Sequence, residues 1–224
     1  MTPSATQILL LIAAWTAYGV IHSLLASLGF KNWLAARWPG APRYYRLLFN
    51  ALAVVLLLPP VALLHLWRGE PLWEWTGIGW LIANGLAGLA AVGFVMTLRD
   101  YDTAEFLGVR QWREGVKQVT DQEHLHLSTF HRFVRHPWYF FGLVILWTRD
   151  MDGALLTSAV CITLYFWLGS LLEERKLLVY HGEVYDDYRR KVPGLIPLPG
   201  RYLTRGEAEA LVKKYRELKR PGTE

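Results

Sequence analysis

Apolar stretches without charged residues recur along the chain at lengths of about 20 residues. Four of them cover residues 5–28, 47–67, 78–98 and 154–172, and none contains Asp, Glu, Lys or Arg. A helix rises about 1.5 Å per residue, so about 20 residues cross the hydrocarbon core of a bilayer. A fifth apolar stretch, residues 137–148, is too short to cross alone. The pattern predicts an all-α protein, a polytopic membrane helix bundle of about five transmembrane helices.

The basic residues predict the orientation of this bundle. Residues 29–46, residues 99–136 and the tail after residue 172 hold 22 of the 24 Lys and Arg residues. Only Arg68 and Arg149 fall in the two remaining connections. Because basic loops stay in the cytoplasm, we expect the N-terminus outside and the C-terminus in the cytoplasm of a bacterial-type inner membrane. The net charge of +5 then reflects topology and attraction to a lipid bilayer, and it does not indicate nucleic acid as a partner.

The chain is predicted to form a single domain over residues 1–224. Its parts are three transmembrane helices in 1–98, a cytoplasmic segment in 99–136, a helical hairpin in 137–197, and a tail in 198–224 that contains an amphipathic helix. No basic residue precedes the first apolar stretch, which is also too long for a cleavable signal peptide. The only cysteine, Cys161, lies in the last apolar stretch, which excludes an intrachain disulfide.

Polar residues that suggest chemistry flank the predicted hairpin. They are Arg135, His136, Pro137 and Tyr139 before the short helix, and Glu173 and Glu174 where the last span ends. A turn at residues 150–153 reverses the chain between them, so we expect the two groups to meet in space. Proline in a first helical turn loses no needed hydrogen bond, and the neighbouring backbone donors suit an anionic group. Ionisable residues beside an apolar bundle are costly unless paired or functional, which marks this end of the hairpin as a candidate site.

Further polar residues follow the two carboxylates. The helix is expected to continue to His181 and to end at Gly182, a residue suited to a left-handed helix end. Tyr185, Tyr188 and Arg189 come next and would lie around the same region. No metal is expected, since the spacing of His124, His126 and His131 matches no compact zinc pattern.

A family resemblance is carried by these same residues. The segment 130–197 resembles the membrane methyltransferases that include isoprenylcysteine carboxyl and phospholipid methyltransferases, through Arg135-His136-Pro137-Trp138-Tyr139, Glu173-Glu174, Tyr185 to Tyr188 and Val192-Pro193. Further motifs, Ile21 to Ser27, Phe30-Lys31 and Phe106 to Gln111, are similar to the methanethiol S-methyltransferase and NnrU-like branch. The resemblance implies that the chain binds S-adenosylmethionine and releases S-adenosylhomocysteine.

The cofactor's charges suggest a role for each residue. Glu173 and Glu174 would take the ammonium or the ribose hydroxyls, while Arg135 and His136 would take the carboxylate. Tyrosine rings at 139, 185 and 188 would pack on the adenine or face the sulfonium. The residues expected to hold the cofactor are therefore Arg135, His136, Pro137, Tyr139, Glu173, Glu174, Tyr185, Tyr188 and Arg189.

The sequence does not decide the identity of the methyl acceptor. A small thiol such as methanethiol ranks first, and it would need a nearby cation to form the thiolate; Arg110, His22 and His131 are the candidates. A structural role for His22, bonded to a neighbouring carbonyl, is the alternative for that residue. A prenylated cysteine carboxylate or a lipid amine is the alternative acceptor. A non-catalytic NnrU-like protein for binding or assembly is the alternative of another class.

Overall fold

The computed structural model describes residues 2–99, 102–115, 125 and 127–218. Nearly all regular structure in these ranges is helical, which confirms the all-α prediction. The helices are α1 (Ala5–Ala26), α2 (Leu28–Arg37), α3 (Ala41–Leu66), α4 (Gly77–Leu98), α5 (Thr103–Leu107), α6 (Val109–Glu114), α7 (Pro137–Trp147), α8 (Gly153–Lys191) and α9 (Arg205–Leu218). Two short strands, β1 (Pro71–Trp73) and β2 (Met151–Asp152), and a 3-10 helix (Phe130–Arg132) complete the described elements.

Four of the helices, α1, α3, α4 and α8, are long and apolar enough to cross a bilayer. Large apolar side chains on them are exposed, such as Leu9, Val54, Ile78 and Leu89. Lipid is the solvent that such surfaces require, and helices satisfy their own backbone hydrogen bonds within it. Helix α7 has 11 residues, about 16 Å, and is too short to cross alone, as the sequence predicted. The chain is therefore an integral membrane protein.

Two helix ends differ from the sequence prediction for local reasons. The first span ends at Ala26 because Ser27 caps the next helix: its hydroxyl accepts from the backbone N–H of Phe30 at 3.2 Å. Helix α3 begins at Ala41, six residues before the predicted apolar stretch, with Pro42 in its first turn. Charged residues are tolerated in that first turn because it precedes the apolar part of the helix.

The described residues within 1–84, 101–121 and 148–165 form one compact unit. Leu11, Trp15 and Ala154 are buried together at its centre, and the indole N–H of Trp15 donates to the Ser158 hydroxyl at 2.9 Å. The two strands pair antiparallel in this unit, with Pro71 opposite Asp152. The sequence predicted only a turn at residues 150–153, and the pairing of β2 with β1 was not expected.

The described residues within 85–100, 122–147 and 166–224 form a second compact unit. Its buried apolar residues are Leu125, Val184, Tyr185, Tyr188, Val192, Leu203, Ala208 and Tyr215. Helix α9 contributes the last two, so the predicted amphipathic helix is confirmed and packs its apolar face on this core. Helices α4 and α8 contribute residues to both units, and the assignment of a single domain stays a prediction.

Helix α8 is interrupted at Gly182, where the sequence predicted that the helix ends, and it then resumes as far as Lys191. Gly182 has φ 56° and ψ −136°, and residues before and after it are helical. A positive φ is unstrained only for glycine, which explains the residue type at this point. The break separates the helical segment that carries Glu173 and Glu174 from the one that carries Tyr185 and Tyr188.

Candidate functional site

Main-chain hydrogen bonds join the two segments of the candidate site. The backbone N–H of Arg135 donates to the carbonyl of Pro193 at 2.9 Å, and that of His136 donates to the carbonyl of Gly194 at 3.2 Å. Pro137 then starts α7 without needing a donor of its own. The chain entering α7 is thus fixed against the chain leaving α8. Both segments lie within the second unit.

The side chain of Arg135 is held by four acceptor contacts. Its Nε and Nη2 atoms donate to Oε1 of Glu174 at 2.9 and 2.7 Å. Its Nη1 atom donates to the carbonyl of Arg189 at 3.0 Å and to the carbonyl of Val192. The Arg135 and Glu174 side chains are only 12% and 7% exposed. A buried, paired guanidinium with four of its five N–H groups bonded fixes the position of Glu174 and has little capacity left for a ligand.

His136 lies between the two carboxylates. Its Nε2 is 3.1 Å from Oε1 of Glu174, and its Nδ1 is 3.5 Å from Oε2 of Glu173. Burial alone would lower the pKa of His136, but the hydrogen bonds and charges of Glu173 and Glu174 outweigh it and raise the pKa to about 9. The ring is therefore an imidazolium at neutral pH, with both N–H groups directed at carboxylates.

The two adjacent carboxylates have different surroundings. Glu174 accepts three donors on one oxygen and is buried. The side chain of Glu173 is 41% exposed, and its Oε2 accepts from the Tyr139 hydroxyl at 3.3 Å. Both of its contacts are long for charge-assisted hydrogen bonds, and a carboxylate can accept about four. Glu173 therefore has acceptor capacity that is accessible to a ligand, whereas Oε1 of the buried Glu174 already accepts three donors.

Three aromatic rings form a stack beside Glu173. The rings of His136 and Tyr139 are 5.4 Å apart and nearly parallel, and those of Tyr139 and Phe166 are 4.5 Å apart with 11° between their planes. Phe166 precedes Glu173 by seven residues, or two helical turns, so both lie on the same face of α8. Phe166 was not among the predicted site residues, although its spacing from Glu173 was a signal that could have identified it.

The two tyrosines after Gly182 are both in the core of the second unit. The Tyr188 hydroxyl donates to the carbonyl of His131 at 2.7 Å. The Tyr185 hydroxyl is buried and has no hydrogen-bond partner among the described residues. It lies near enough to Glu174 and Arg135 to interact with their charges. An unpartnered buried hydroxyl is costly, which marks Tyr185 as a candidate ligand contact.

The remaining candidates from the sequence have partners of their own. The carbonyl of Arg189 accepts from Nη1 of Arg135, and Nη2 of Arg189 donates to the carboxylate of Asp186 at 2.8 Å. His131 is buried, with its Nδ1 2.8 Å from the hydroxyl of Ser128. The structure thus brings Arg135, His136, Tyr139, Glu173 and Glu174 into direct contact, as the predicted hairpin required. It places Pro137, Tyr185, Tyr188 and Arg189 in the same unit.

The other two residues considered for thiol activation lie in the first unit. Arg110 contacts three carboxylates, those of Asp102, Glu105 and Glu114. The Nδ1 atom of His22 is 2.7 Å from the Tyr165 hydroxyl, so its partner is a side chain rather than the carbonyl considered in the sequence analysis. Their catalytic roles, and that of His131, stay predictions.

The described residues were also compared with the requirements of a metal site. Among those residues, no group of three or more His, Cys, Asp or Glu side chains is placed to hold a metal ion. His124 and His126, which the sequence analysis considered, lie outside the described residues.

Comparison with known proteins identifies the family. No protein-family model matches the chain, and no solved structure does. A methanethiol S-methyltransferase from Crocosphaera subtropica is 30% identical over 210 residues, which cover 88% of this chain and 77% of the relative. One from Mycobacterium tuberculosis is 33% identical over 196 residues, covering 83% and 76%, and one from a Pseudomonas species is 31% identical over 191 residues, covering 81% and 70%.

These relatives match most of the chain and agree in their activity, which confirms the resemblance drawn from the motifs. The chain also has the apolar helices of a membrane protein. This protein is therefore a methyltransferase, and it belongs to the membrane methyltransferase family that includes the methanethiol S-methyltransferases.

Proposed function

We propose that this protein transfers a methyl group from S-adenosylmethionine to a small, methanethiol-like thiol at the cytoplasmic face of a bacterial-type inner membrane. The observation that carries the proposal is the contrast between Glu173 and Glu174. One carboxylate is buried and paired with two cations, and its neighbour is half exposed beside an aromatic stack. The names of the relatives support a thiol as the acceptor.

Three features of the described residues fit this cofactor. Glu173 has free acceptor capacity for an ammonium or for ribose hydroxyls. The buried Tyr185 hydroxyl has no hydrogen-bond partner in the described part of the chain, and a polar group of a ligand would supply one. The Tyr139 ring is stacked between His136 and Phe166, and the ring of Phe166 at the end of this stack is suited to pack on an adenine. When bound, the cofactor supplies an electrophilic methyl group on a sulfonium sulfur.

The geometry changes the roles proposed for Arg135 and Glu174. We assign both to positioning, because Arg135 is bonded to Glu174 Oε1 and to the carbonyls of Arg189 and Val192, and the Glu174 side chain is buried. Together they hold Glu173 and His136 at fixed places. Preorganisation of this kind contributes to rate by orienting the reacting groups, and methyl transfer depends mainly on such orientation and on exclusion of water.

The thiol must lose its proton before it attacks. Any of His22, Arg110 and His131 could favour the thiolate by a nearby positive charge or by accepting the proton. The three carboxylates around Arg110 offset its charge and weaken its case. We therefore rank the two histidines ahead of Arg110 for this step.

A labelled-methyl assay tests the proposal. The purified protein in lipid nanodiscs would receive labelled S-adenosylmethionine with methanethiol, a prenylated cysteine or a phospholipid amine. We expect label in the thiol product. Activity confined to the prenylated cysteine or the lipid amine would refute the thiol assignment. Absence of S-adenosylmethionine binding by calorimetry would refute the enzyme proposal and favour a non-catalytic NnrU-like role.

A matched pair of variants tests the site. Glu173→Gln removes the charge with open acceptor capacity, and we expect cofactor binding to weaken about 10- to 100-fold, as for loss of a charge-assisted hydrogen bond. Glu183→Gln makes the same change at an exposed carboxylate one residue past the break and should leave binding unchanged. Equal affinity in the two variants would remove Glu173 from the site.

Membrane orientation has its own test. We place the N-terminus outside and the C-terminus in the cytoplasm, which the distribution of basic residues supports. A reporter that is active only in the cytoplasm, fused after residue 224, should be active. An inactive C-terminal fusion together with an active N-terminal fusion would reverse the assignment.

A further inference from the structure

The charges of the site neutralise one another before any ligand arrives. Arg135 pairs with Glu174 at 2.7 Å, and the His136 imidazolium lies between Glu174 and Glu173. Two cations therefore face two anions. The guanidinium of Arg135 also donates to two backbone carbonyls, so four of its five N–H groups contact the protein. Because both cations are already engaged by groups of the protein, neither is well suited to take the carboxylate of an amino-acid moiety, the role that the sequence suggested for them.

Lys176 is a nearby cation that takes no part in these ion pairs. It follows Glu173 by three residues on α8, and residues at this spacing lie on the same helix face. Its side chain is half-buried, and among the described residues it takes part in no hydrogen bond or ion pair. It does interact electrostatically with Glu173. Lys176 therefore carries an ammonium without a hydrogen-bond partner among the described residues, and it lies beside the more exposed of the two site carboxylates.

The chemistry of an α-amino acid fits this pair. Its ammonium and carboxylate are attached to a single carbon atom, so a protein that binds both needs an anion and a cation as neighbours. Glu173 and Lys176 are such neighbours, and each has hydrogen-bonding capacity left. Arg175 offers a contrast: it is exposed, and at about 100° per residue it lies about 200° around the helix from Glu173.

We infer that Lys176 binds the carboxylate of the cofactor's methionine moiety, while Glu173 binds its ammonium. This inference rests on the proposed function, and it assigns the cofactor's amino-acid end to a different cation from the Arg135 and His136 of the sequence analysis. Lys176 acts as a binding residue that selects a methyl donor with an intact amino-acid group.

Calorimetry with two ligands tests this assignment without turnover. One ligand is S-adenosylhomocysteine, which keeps the amino-acid carboxylate, and the other is its decarboxylated analogue, which lacks only that group. The wild type should prefer the first. Lys176→Gln should weaken binding of S-adenosylhomocysteine about 10- to 100-fold and leave binding of the analogue unchanged. Lys176→Arg should keep most of the preference, and Arg175→Gln should match the wild type for both ligands.

The possible failures are distinct. If the wild type binds neither ligand, the proposed function itself is refuted. If the wild type binds S-adenosylhomocysteine but Lys176→Gln keeps the full preference over the analogue, only the Lys176 assignment fails. The assignment also fails if Lys176→Gln weakens both ligands equally, because that result indicates a structural role.

Discussion

Replacing Glu174 by Gln is expected to destabilise the protein, whereas the same replacement at Glu173 is expected to spare stability and weaken ligand binding. The two residues are adjacent and chemically identical, so their surroundings alone produce the difference. Glu174 Oε1 accepts from Arg135 at 2.7 and 2.9 Å and from His136 at 3.1 Å. Glu173 has two long contacts and is half exposed.

The magnitude follows from burial. Removing one partner of a buried ion pair costs about 3–5 kcal/mol, and the oxygen that Gln retains places the loss at the lower end, about 3 kcal/mol. For a chain of this length that corresponds to a fall in melting temperature of about 6–12 °C. The half-exposed Glu173 contributes about 0–1 kcal/mol, so Glu173→Gln should lower the melting temperature by about 4 °C or less.

Intrinsic tryptophan fluorescence during heating in detergent would measure both variants, followed by calorimetric titration with S-adenosylmethionine. A double variant, Arg135→Met with Glu174→Leu, supplies the control. It leaves neither partner of the pair as an uncompensated charge, so it should be more stable than Glu174→Gln. Equal melting temperatures for the two single variants, or a double variant less stable than Glu174→Gln, would refute the division of roles.

Three further outcomes are expected. The pKa of His136 is raised from 6.5 to about 9 in the folded protein, so its stabilising contribution is complete below pH 6.5 and is lost as the pH rises through about 9. The melting temperature of the wild type should therefore fall between pH 6.5 and 9, and that of His136→Gln should change less over the same range. Tyr139→Phe keeps the stacked ring and loses one 3.3 Å hydrogen bond, so calorimetry should give a loss of cofactor affinity of about 10-fold or less, and a larger loss would contradict this. Gly93→Ala would place a methyl group 2.5 Å from the Phe141 ring and should destabilise the protein by about 1–3 kcal/mol. Gly88→Ala on the same helix meets no atom within 4 Å and should not destabilise it, so equal melting temperatures for the two variants would refute the close contact.

Much of the fold could be predicted from the sequence because a helix that crosses lipid needs about 20 consecutive apolar residues. Charge-free stretches of sufficient length become α1, α3, α4 and α8, and the break at Gly182 follows from its residue type. The pairing of β1 with β2 could not be predicted. Strands of three and two residues are too short to show an alternating pattern, and their pairing depends on contacts between distant parts of the chain.

For the site, the sequence predicted which residues meet and missed how they pair. The turn between α7 and α8 made contact between His136 and the two glutamates predictable. Which glutamate faces Arg135 depends on the rotation of α8, which packing decides. The carbonyls of Val192 and Pro193 were also beyond prediction, since every residue has a backbone carbonyl and no sequence pattern distinguishes one.

The hydrogen bonds from Arg135 and His136 to Pro193 and Gly194 have a consequence for biosynthesis. A ribosome has made all of the long apolar stretches before it adds residue 193, so the helices can enter the bilayer before these hydrogen bonds form. The hydrogen bonds can form only after residues 193 and 194 have been synthesised. A nascent or proteolysed product that stops at Gly182 would keep the membrane anchor and lack the carbonyls that hold Arg135, so fragments of this kind should reach the membrane and be inactive there.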